Sequence, residues 1–318
     1  HIVQRPWEKP GVAMILRGKK RIGKDTIMDY FAQTCLRHRV KIANQEQLTG
    51  RFNAHQEKTL ILHVEEGFWA GSKQAEGSLK HLVTSEEVLI EPKGIDAFSV
   101  TSVLRLFISS NEEWVVPASN DEGRYFVLDV SEIHRNDHPY FAALHHEMEN
   151  GGPAALLHFL MSIDLSDFEV RKVPNTKALG DQKMKGLRSF DRYWFEMLES
   201  GEMAAEHYSL NGGKGNWSVA PIRVSRKELQ DRYKRWIEHR RFDGESLAVA
   251  EIGKKLKLVL RDNLKMMQPR TSDGRQERFY VIPSLAECRN AFAKYMGADI
   301  DWPDADEGDV EPFDDLDY

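Results

Sequence analysis

Short apolar runs punctuate the first half of the chain at residues 12–16, 60–64, 104–109 and 125–130. Near-continuous apolar runs of this length fit strands covered on both faces, as in parallel sheets. Between the first two lies a Gly/Lys-rich loop followed by a helical pattern through about His38. Residues 139–150 and 154–162 read as further helices, separated by the breaker Gly151-Gly152-Pro153. Strands alternating with helices predict an α/β domain built on a parallel sheet.

The pattern changes after residue 165. Residues 173–198 are amphipathic at helical spacing, and Asn211-Gly212-Gly213-Lys214-Gly215-Asn216 has the composition of a linker. Ser225 is placed to cap a helix running to about Arg240, with Glu228 completing a capping box. A second helix is expected over 247–260, then a turn at Ser272-Asp273-Gly274, a strand over 278–282, and a last helix from Ser284 to Met296. Helix, helix, turn, strand and helix in a basic segment predict a winged-helix-like module. At ~100–200 residues per domain, 318 residues suit two domains. The expected division is an α/β core over 1–165, a helical segment and linker over 166–222, a basic winged-helix-like module over 223–300, and an acidic disordered tail over 301–318.

Charge sharpens that division. The net charge is −6, yet residues 301–318 hold nine acids and no Lys or Arg, so residues 1–300 carry +3. Within 223–278 sixteen basic residues face nine acidic ones. Such asymmetry points to a polyanionic partner. No apolar run approaches the roughly 18 residues of a membrane span, so no membrane role is expected. Cys35 and Cys288 lie far apart, which fits a reducing, cytoplasmic compartment and excludes a zinc or disulfide framework. The chain starts at His1 without a signal-peptide pattern, and is expected to be part of a longer polypeptide.

The strongest chemical signal is Gly18-Lys19-Lys20-Arg21-Ile22-Gly23-Lys24-Asp25-Thr26, placed between an expected strand and an expected helix. That context suits a phosphate-binding loop: Gly18 and Gly23 permit backbone angles that let successive N–H groups converge on phosphate oxygens. The helix N-terminus adds favourable charge there. The nucleotide-binding set is Gly18, Lys20, Arg21, Gly23, Lys24, Asp25 and Thr26, with Lys24 reaching the β- and γ-phosphates of ATP. Ser or Thr normally stands at position 25 as a magnesium ligand, so Thr26, with Asp25, is expected to take that role.

A nucleotide hydrolase also needs acids on a neighbouring strand. Residues 60–64 end in Glu65-Glu66. Glu65 is assigned to the Mg²⁺ shell and Glu66 to activation of the attacking water. The strand over 104–109 ends in Ser110-Asn111, where Asn111 can hold that water or the γ-phosphate. Arg124, opening the next strand, is the candidate to stabilise transition-state charge at a neighbouring subunit's phosphate.

The loop resembles the Gly-Lys-Asp-Thr loops of phage deoxynucleotide monophosphate kinases. The longer series resembles the superfamily 3 helicases, a branch of the AAA+ ATPases, and within them the helicase part of phage and prophage primase–polymerase proteins. It is carried by Leu48-Thr49-Gly50-Arg51-Phe52-Asn53, Glu65-Glu66-Gly67-Phe68-Trp69-Ala70-Gly71, Leu79-Lys80-His81-Leu82-Val83-Thr84, Glu91-Pro92-Lys93-Gly94, Ser109-Ser110-Asn111 with Trp114-Val115-Val116-Pro117, Val173-Pro174-Asn175-Thr176, and Pro283-Ser284-Leu285 with Cys288-Arg289. The resemblance implies an AAA+-like P-loop NTPase core. It also implies a homo-oligomeric, hexameric DNA helicase driven by ATP and Mg²⁺, in a bacterial host cytoplasm if phage-encoded, and an additional N-terminal primase–polymerase region. It further implies a channel hairpin over about 88–102, with Lys93 and Gly94 at its tip touching DNA and Lys80 as a second contact. Two departures stand out: Arg21 replaces the family's usual Gly, and Gly123-Arg124 replaces a pair of arginines.

Two alternatives are a nucleoside monophosphate kinase and a degenerate ATPase serving as a DNA-binding and loading module. His134, His138, His145 and His146 lack further ligands at metal spacing and are expected to be structural. Tyr233 and Trp236 sit at helical spacing and are expected in the core rather than stacked on bases.

Overall fold

The computed structural model describes residues 1–34, 38–65, 73–187, 189–203, 205–211, 213–240, 246–269 and 276–303, with backbone alone at 45, 49 and 73–75. The chain divides into two units, His1–Gly186 and Leu187–Tyr318. The helix over Lys177–Lys185 therefore goes with the first unit, and the expected 166–222 segment is shared between the two.

Elements of the first unit follow in chain order as β1 (Ala13–Arg17), α1 (Lys24–Gln33), β2 (Arg39–Ile42), α2 (Gln45–Thr49), β3 (Ile61–Glu65), α3 (Lys73–Thr84), β4 (Glu87–Ile90), β5 (Phe98–Thr101), β6 (Arg105–Ser110), β7 (Tyr125–Asp129), α4 (His138–Glu149), α5 (Gly152–Ser162) and α6 (Lys177–Lys185). Five strands form one sheet in the order β2-β3-β6-β1-β7. Every pairing in it is parallel. Ile15, Leu62, Val64, Leu106, Ile108 and Val127 are fully or almost fully buried, which is why these strands read as unbroken apolar runs. Each such side chain contributes ~1.5–3 kcal/mol of burial.

The strand order decides where chemistry gathers. β6 lies between β1 and β3, and Ser109 pairs with Leu16 on one side and Glu65 on the other. The carboxyl ends of the three strands thus open onto one edge, the crevice in which open α/β sheets bind ligands. β4 and β5 form a separate antiparallel hairpin, in register Val88↔Val100 and Ile90↔Phe98. Gly94 turns its tip at φ 78°.

Three expectations are revised. The helix after the loop ends at Gln33 rather than about His38. Strand β2 was not expected; its short Arg-Val-Lys-Ile pattern sits at a sheet edge, where alternating charge is tolerated. The pattern over 173–198 is two helices, with Gly186 at the C-cap of α6.

The second unit contains α7 (Ser189–Ser200), β8 (His207–Ser209), β9 (Ile222–Ser225), α8 (Arg226–His239), α9 (Val249–Leu260), β10 (Lys265–Met267), β11 (Phe279–Ile282) and α10 (Leu285–Met296). Its four strands form an antiparallel sheet, β10-β11-β9-β8. The Ser225 hydroxyl accepts the backbone N–H of Glu228, but the Glu228 carboxylate turns to Arg232, so only half of the expected capping box forms. Phe190, Tyr193 and Trp194 of α7 pack with Tyr233 of α8 in a buried aromatic core, and Trp236 is 8 % exposed. The expected linker at 211–216 lies inside this unit, where the N–H of Ser209 bonds the carbonyl of Gly213 and Lys214 bridges Tyr208.

Candidate functional site

The loop between β1 and α1 is built around two glycines. Gly18 has φ 148° and Gly23 has φ 93°. A Cβ at Gly18 would lie 2.7 Å from Ile22 Cδ1 and 3.3 Å from the Val130 carbonyl, and one at Gly23 would lie 2.8 Å from the Phe141 ring. Gly23 is the N-cap of α1, whose first residue is Lys24, so the helix N-terminus faces the loop. Arg21 adopts φ 63°, a left-handed conformation unusual for a side-chain-bearing residue. Its carbonyl is fixed by the N–H of Asn136 at 3.1 Å.

Lys24 is 6 % exposed. Its ammonium donates to the Gly18 carbonyl at 2.8 Å, the Lys19 carbonyl at 2.7 Å and Asn111 Oδ1 at 2.8 Å. Loop lysine and strand-end asparagine, 87 positions apart, are thus in direct contact. Lys20 and Arg21 present exposed side chains on the loop. Lys19 pairs with Glu132 at 3.0 Å.

Asp25 faces the acid strand. Its Oδ1 accepts the Ser109 hydroxyl at 2.6 Å. With that hydrogen committed, Ser109 accepts in turn from Nε2–H of His63 at 3.0 Å, which fixes the imidazole tautomer. His63 is fully buried. Burial, then Lys41, push its pKa down to about 4 against the opposing pull of Asp25, so the ring is neutral near neutral pH. Donor atoms of Asp25, His63 and Glu65 lie within 4.8 Å of one another, the single such group among the described residues. Lys41 forms an ion pair with Glu65. Thr26 is half-buried one position beyond Asp25. The two carboxylates are hard oxygen donors of the kind that suits Mg²⁺, beside the imidazole nitrogen of His63, and Asp25 supplies an oxygen where Ser or Thr is usual. Glu66 lies outside the described residues.

Other sequence candidates stand apart from this cluster. Arg124 precedes β7, at the opposite end of the parallel strands from the loop. Its guanidinium pairs with buried Glu122 at 2.7 Å and 3.1 Å. Lys93 and Gly94 are exposed at the β4–β5 tip. Lys80 is held by Glu76 one turn away at 2.6 Å. His134 bonds Asp137, His145 contacts Tyr30, and His146 meets Asn150, each a local structural role.

Two supporting residues escaped the sequence reading. Arg17, closing β1, makes a two-pronged bond to Asp129 at 2.6 and 2.8 Å, and reaches Asp181 at 2.8 Å and the Glu113 carbonyl at 3.1 Å. Those carboxylates raise its pKa. Gln182, fully buried on α6, accepts from the N–H groups of Val115 and Val116 and donates to the Glu113 carbonyl. Together they brace the loop that follows Asn111. The available signal was polarity inside apolar context, since a buried polar group requires partners.

Comparison with known proteins adds three findings. A family of unknown function, DUF5906, matches residues 16–124, the span from the end of β1 to Arg124. The DNA primase-polymerase of Nitratiruptor phage NrS-1 is 23% identical over 207 residues, covering 61% of this chain and 28% of that protein. The chain thus matches little more than a quarter of that relative's length. Two apo structures of the NrS-1 C-terminal region superpose with TM-scores of 0.62 and 0.63 at 16% identity, covering 88% of this chain and 69% of theirs. The chain has a mixed α/β fold with a parallel sheet, like that region, and is similar in sequence to a phage primase-polymerase.

Proposed function

We propose that this chain is the ATP-driven helicase motor of a phage-type replication protein, working as a homo-oligomeric ring, hexameric in the resembled family, with DNA in its channel. One observation carries the reading: Lys24, at the start of a helix behind a glycine loop, touches Asn111 at the end of the strand lying between loop strand and acid strand. That contact, with the register of Glu65 against Ser109, supports reading Lys24 as the phosphate-reaching ammonium, Asn111 as the water-orienting amide and Glu65 as the neighbouring carboxylate of one site.

In this reading the loop N–H groups and Lys24 hold the phosphates, helped by exposed Lys20 and Arg21. Asp25, Thr26 and Glu65 hold Mg²⁺, which would neutralise phosphate charge. Ser109 and His63 orient the Asp25 carboxylate. Glu66 activates water, Asn111 senses the γ-phosphate, and Arg124 serves a neighbouring subunit. The first unit is then an AAA+-like P-loop core. The second is read as winged-helix-like: α8, α9, β11 and α10 follow the expected order of helix, helix, strand and helix, with β9 and β10 added to the sheet. The similarity to a phage primase-polymerase supports a replication role, and supports DNA as partner through Lys93, Gly94 and Lys80.

The test is ATP hydrolysis with and without single-stranded DNA. Turnover stimulated by DNA is expected in the parent chain and lost in Glu66→Gln. Lys24→Ala should lower the rate on the order of 10²–10³-fold, as removal of a preorganised charge does. A near-normal rate in Lys24→Ala would refute the phosphate-binding loop. Turnover indifferent to DNA would favour a monophosphate kinase.

A further inference from the structure

The second unit carries an unpaired basic face of its own. Helix α9 buries Ile252, Leu256, Val259 and Leu260 against the unit's core. At 3.6 residues per turn the opposite face of α9 collects Ala250, Lys254, Lys257 and Leu258, all exposed, and Arg261, also exposed, follows at the C-cap with φ 50°. Leu258 is 58% and Met266 of the next strand 69% exposed. Lys265, at the start of β10, extends the row. Among the described residues no acid forms an ion pair with Lys254, Lys257, Arg261 or Lys265. Lys255, on the helix flank, is the lysine of α9 paired to an acid, at 3.2 Å from Asp191. Glu251 is turned back to cap the helix through the N–H of Ala248. Asp262 is the one further acid on the segment from 250 to 265.

Lys254 and Lys257 on α9, Arg261 in the turn after it and Lys265 on β10 set exposed cations along one stretch of chain with the apolar Leu258 among them, a combination that suits a groove in double-stranded DNA. The second helix of a helix–helix pair is the element that enters the major groove in helix-turn-helix modules. The charges suit the phosphates flanking a groove, and Leu258 suits apolar base edges.

We propose that the exposed basic stretch formed by α9 and the residues that follow it (Lys254, Lys257, Leu258, Arg261 and Lys265) is a duplex-DNA docking surface of the second unit, made of residues other than those of the loop after β1 and of the β4–β5 tip. It would hold the chain on double-stranded DNA without ATP. Each neutralised phosphate releases counterions and contributes ~0.9 to the slope of log affinity against log salt.

The test uses the 318-residue chain and a labelled mixed-sequence DNA duplex, titrated by fluorescence anisotropy without nucleotide at several salt concentrations. Lys254→Ala/Lys257→Ala/Arg261→Ala is expected to weaken duplex binding on the order of tenfold or more and to lower the salt slope by about 2–3. Lys58→Ala/Arg171→Ala/Lys172→Ala removes the same charge from the first unit and is expected to bind as the parent does. Equal weakening in both triple variants would overturn the proposal by showing a generic charge effect. Unchanged duplex binding in the α9 triple variant, or a loss confined to single-stranded DNA, would overturn it too. Should the triple variant fail to fold by circular dichroism, single Lys257→Glu on the same exposed face supplies the same reading. Because no nucleotide is present, failure of the ATPase reading in Lys24→Ala leaves this result independent.

Discussion

Arg21 occupies a backbone conformation that glycine would hold without strain. At φ 63° its Cβ costs roughly 1–2 kcal/mol, partly offset by the smaller chain entropy it loses on folding. Among the described residues no hydrogen bond or ion pair ties its exposed side chain, so the residue is kept at a cost to the fold. Arg21→Gly is expected to raise stability by about 0.5–1 kcal/mol in urea unfolding, while weakening ATP binding if the guanidinium meets phosphate. A drop in stability would mean that the side chain itself holds the loop. Asp25 shows the complementary case. Its substitution for the usual hydroxyl residue reads as a defect in sequence, yet the structure surrounds it with Ser109 and His63 and brings it to Glu65. His63 itself was not legible, because one histidine within Leu-Ile-Leu-His-Val looks like part of an apolar strand. Its role emerges only when β6 is placed beside β3.

At the scale of elements, four of the five parallel strands were legible because burial on both faces writes an apolar run into the sequence. The fifth, β2, was not, since its Arg39 and Lys41 belong to an edge and pair with Asp29 on α1. The break between α6 and α7 was hidden by continuous amphipathicity, although Gly186 marked it: a Cβ there would lie 3.1 Å from the Ala118 carbonyl. The β4–β5 hairpin is the element from which DNA coupling can be tested. Its tip is exposed and polar, and β5 runs directly into β6, the strand that ends at Asn111. Lys93→Ala is expected to leave DNA-independent hydrolysis unchanged and to cut stimulation by single-stranded DNA about tenfold, the equivalent of roughly 1.4 kcal/mol. Unaltered stimulation would remove the hairpin from the DNA path.

At the scale of the whole molecule, Arg124 and the loop after β1 lie at opposite ends of the sheet, so on the proposed reading the arginine would serve a neighbouring chain's loop rather than its own. Arg124→Ala and Glu66→Gln should each lose turnover separately, by on the order of 10³-fold for the arginine. Mixed, they should recover part of it, because some interfaces then join an intact arginine to an intact acid. No recovery at any mixing ratio would place Arg124 in a purely structural pair with Glu122. The division into two units was only partly legible for a related reason. Composition separates the basic and acidic stretches, but the boundary at Gly186 falls within a helical pattern of uniform polarity.

The bonding of Lys24 sets the terms on which any phosphate can enter. Its three donors are already engaged by two loop carbonyls and the Asn111 amide oxygen. An incoming phosphate therefore trades for an existing partner rather than filling an idle cation. If the partner released is Asn111, occupancy of the loop is reported at once to the far end of β6. On the proposed reading the lysine would work as a changeover contact, passed from its protein acceptors to the phosphate.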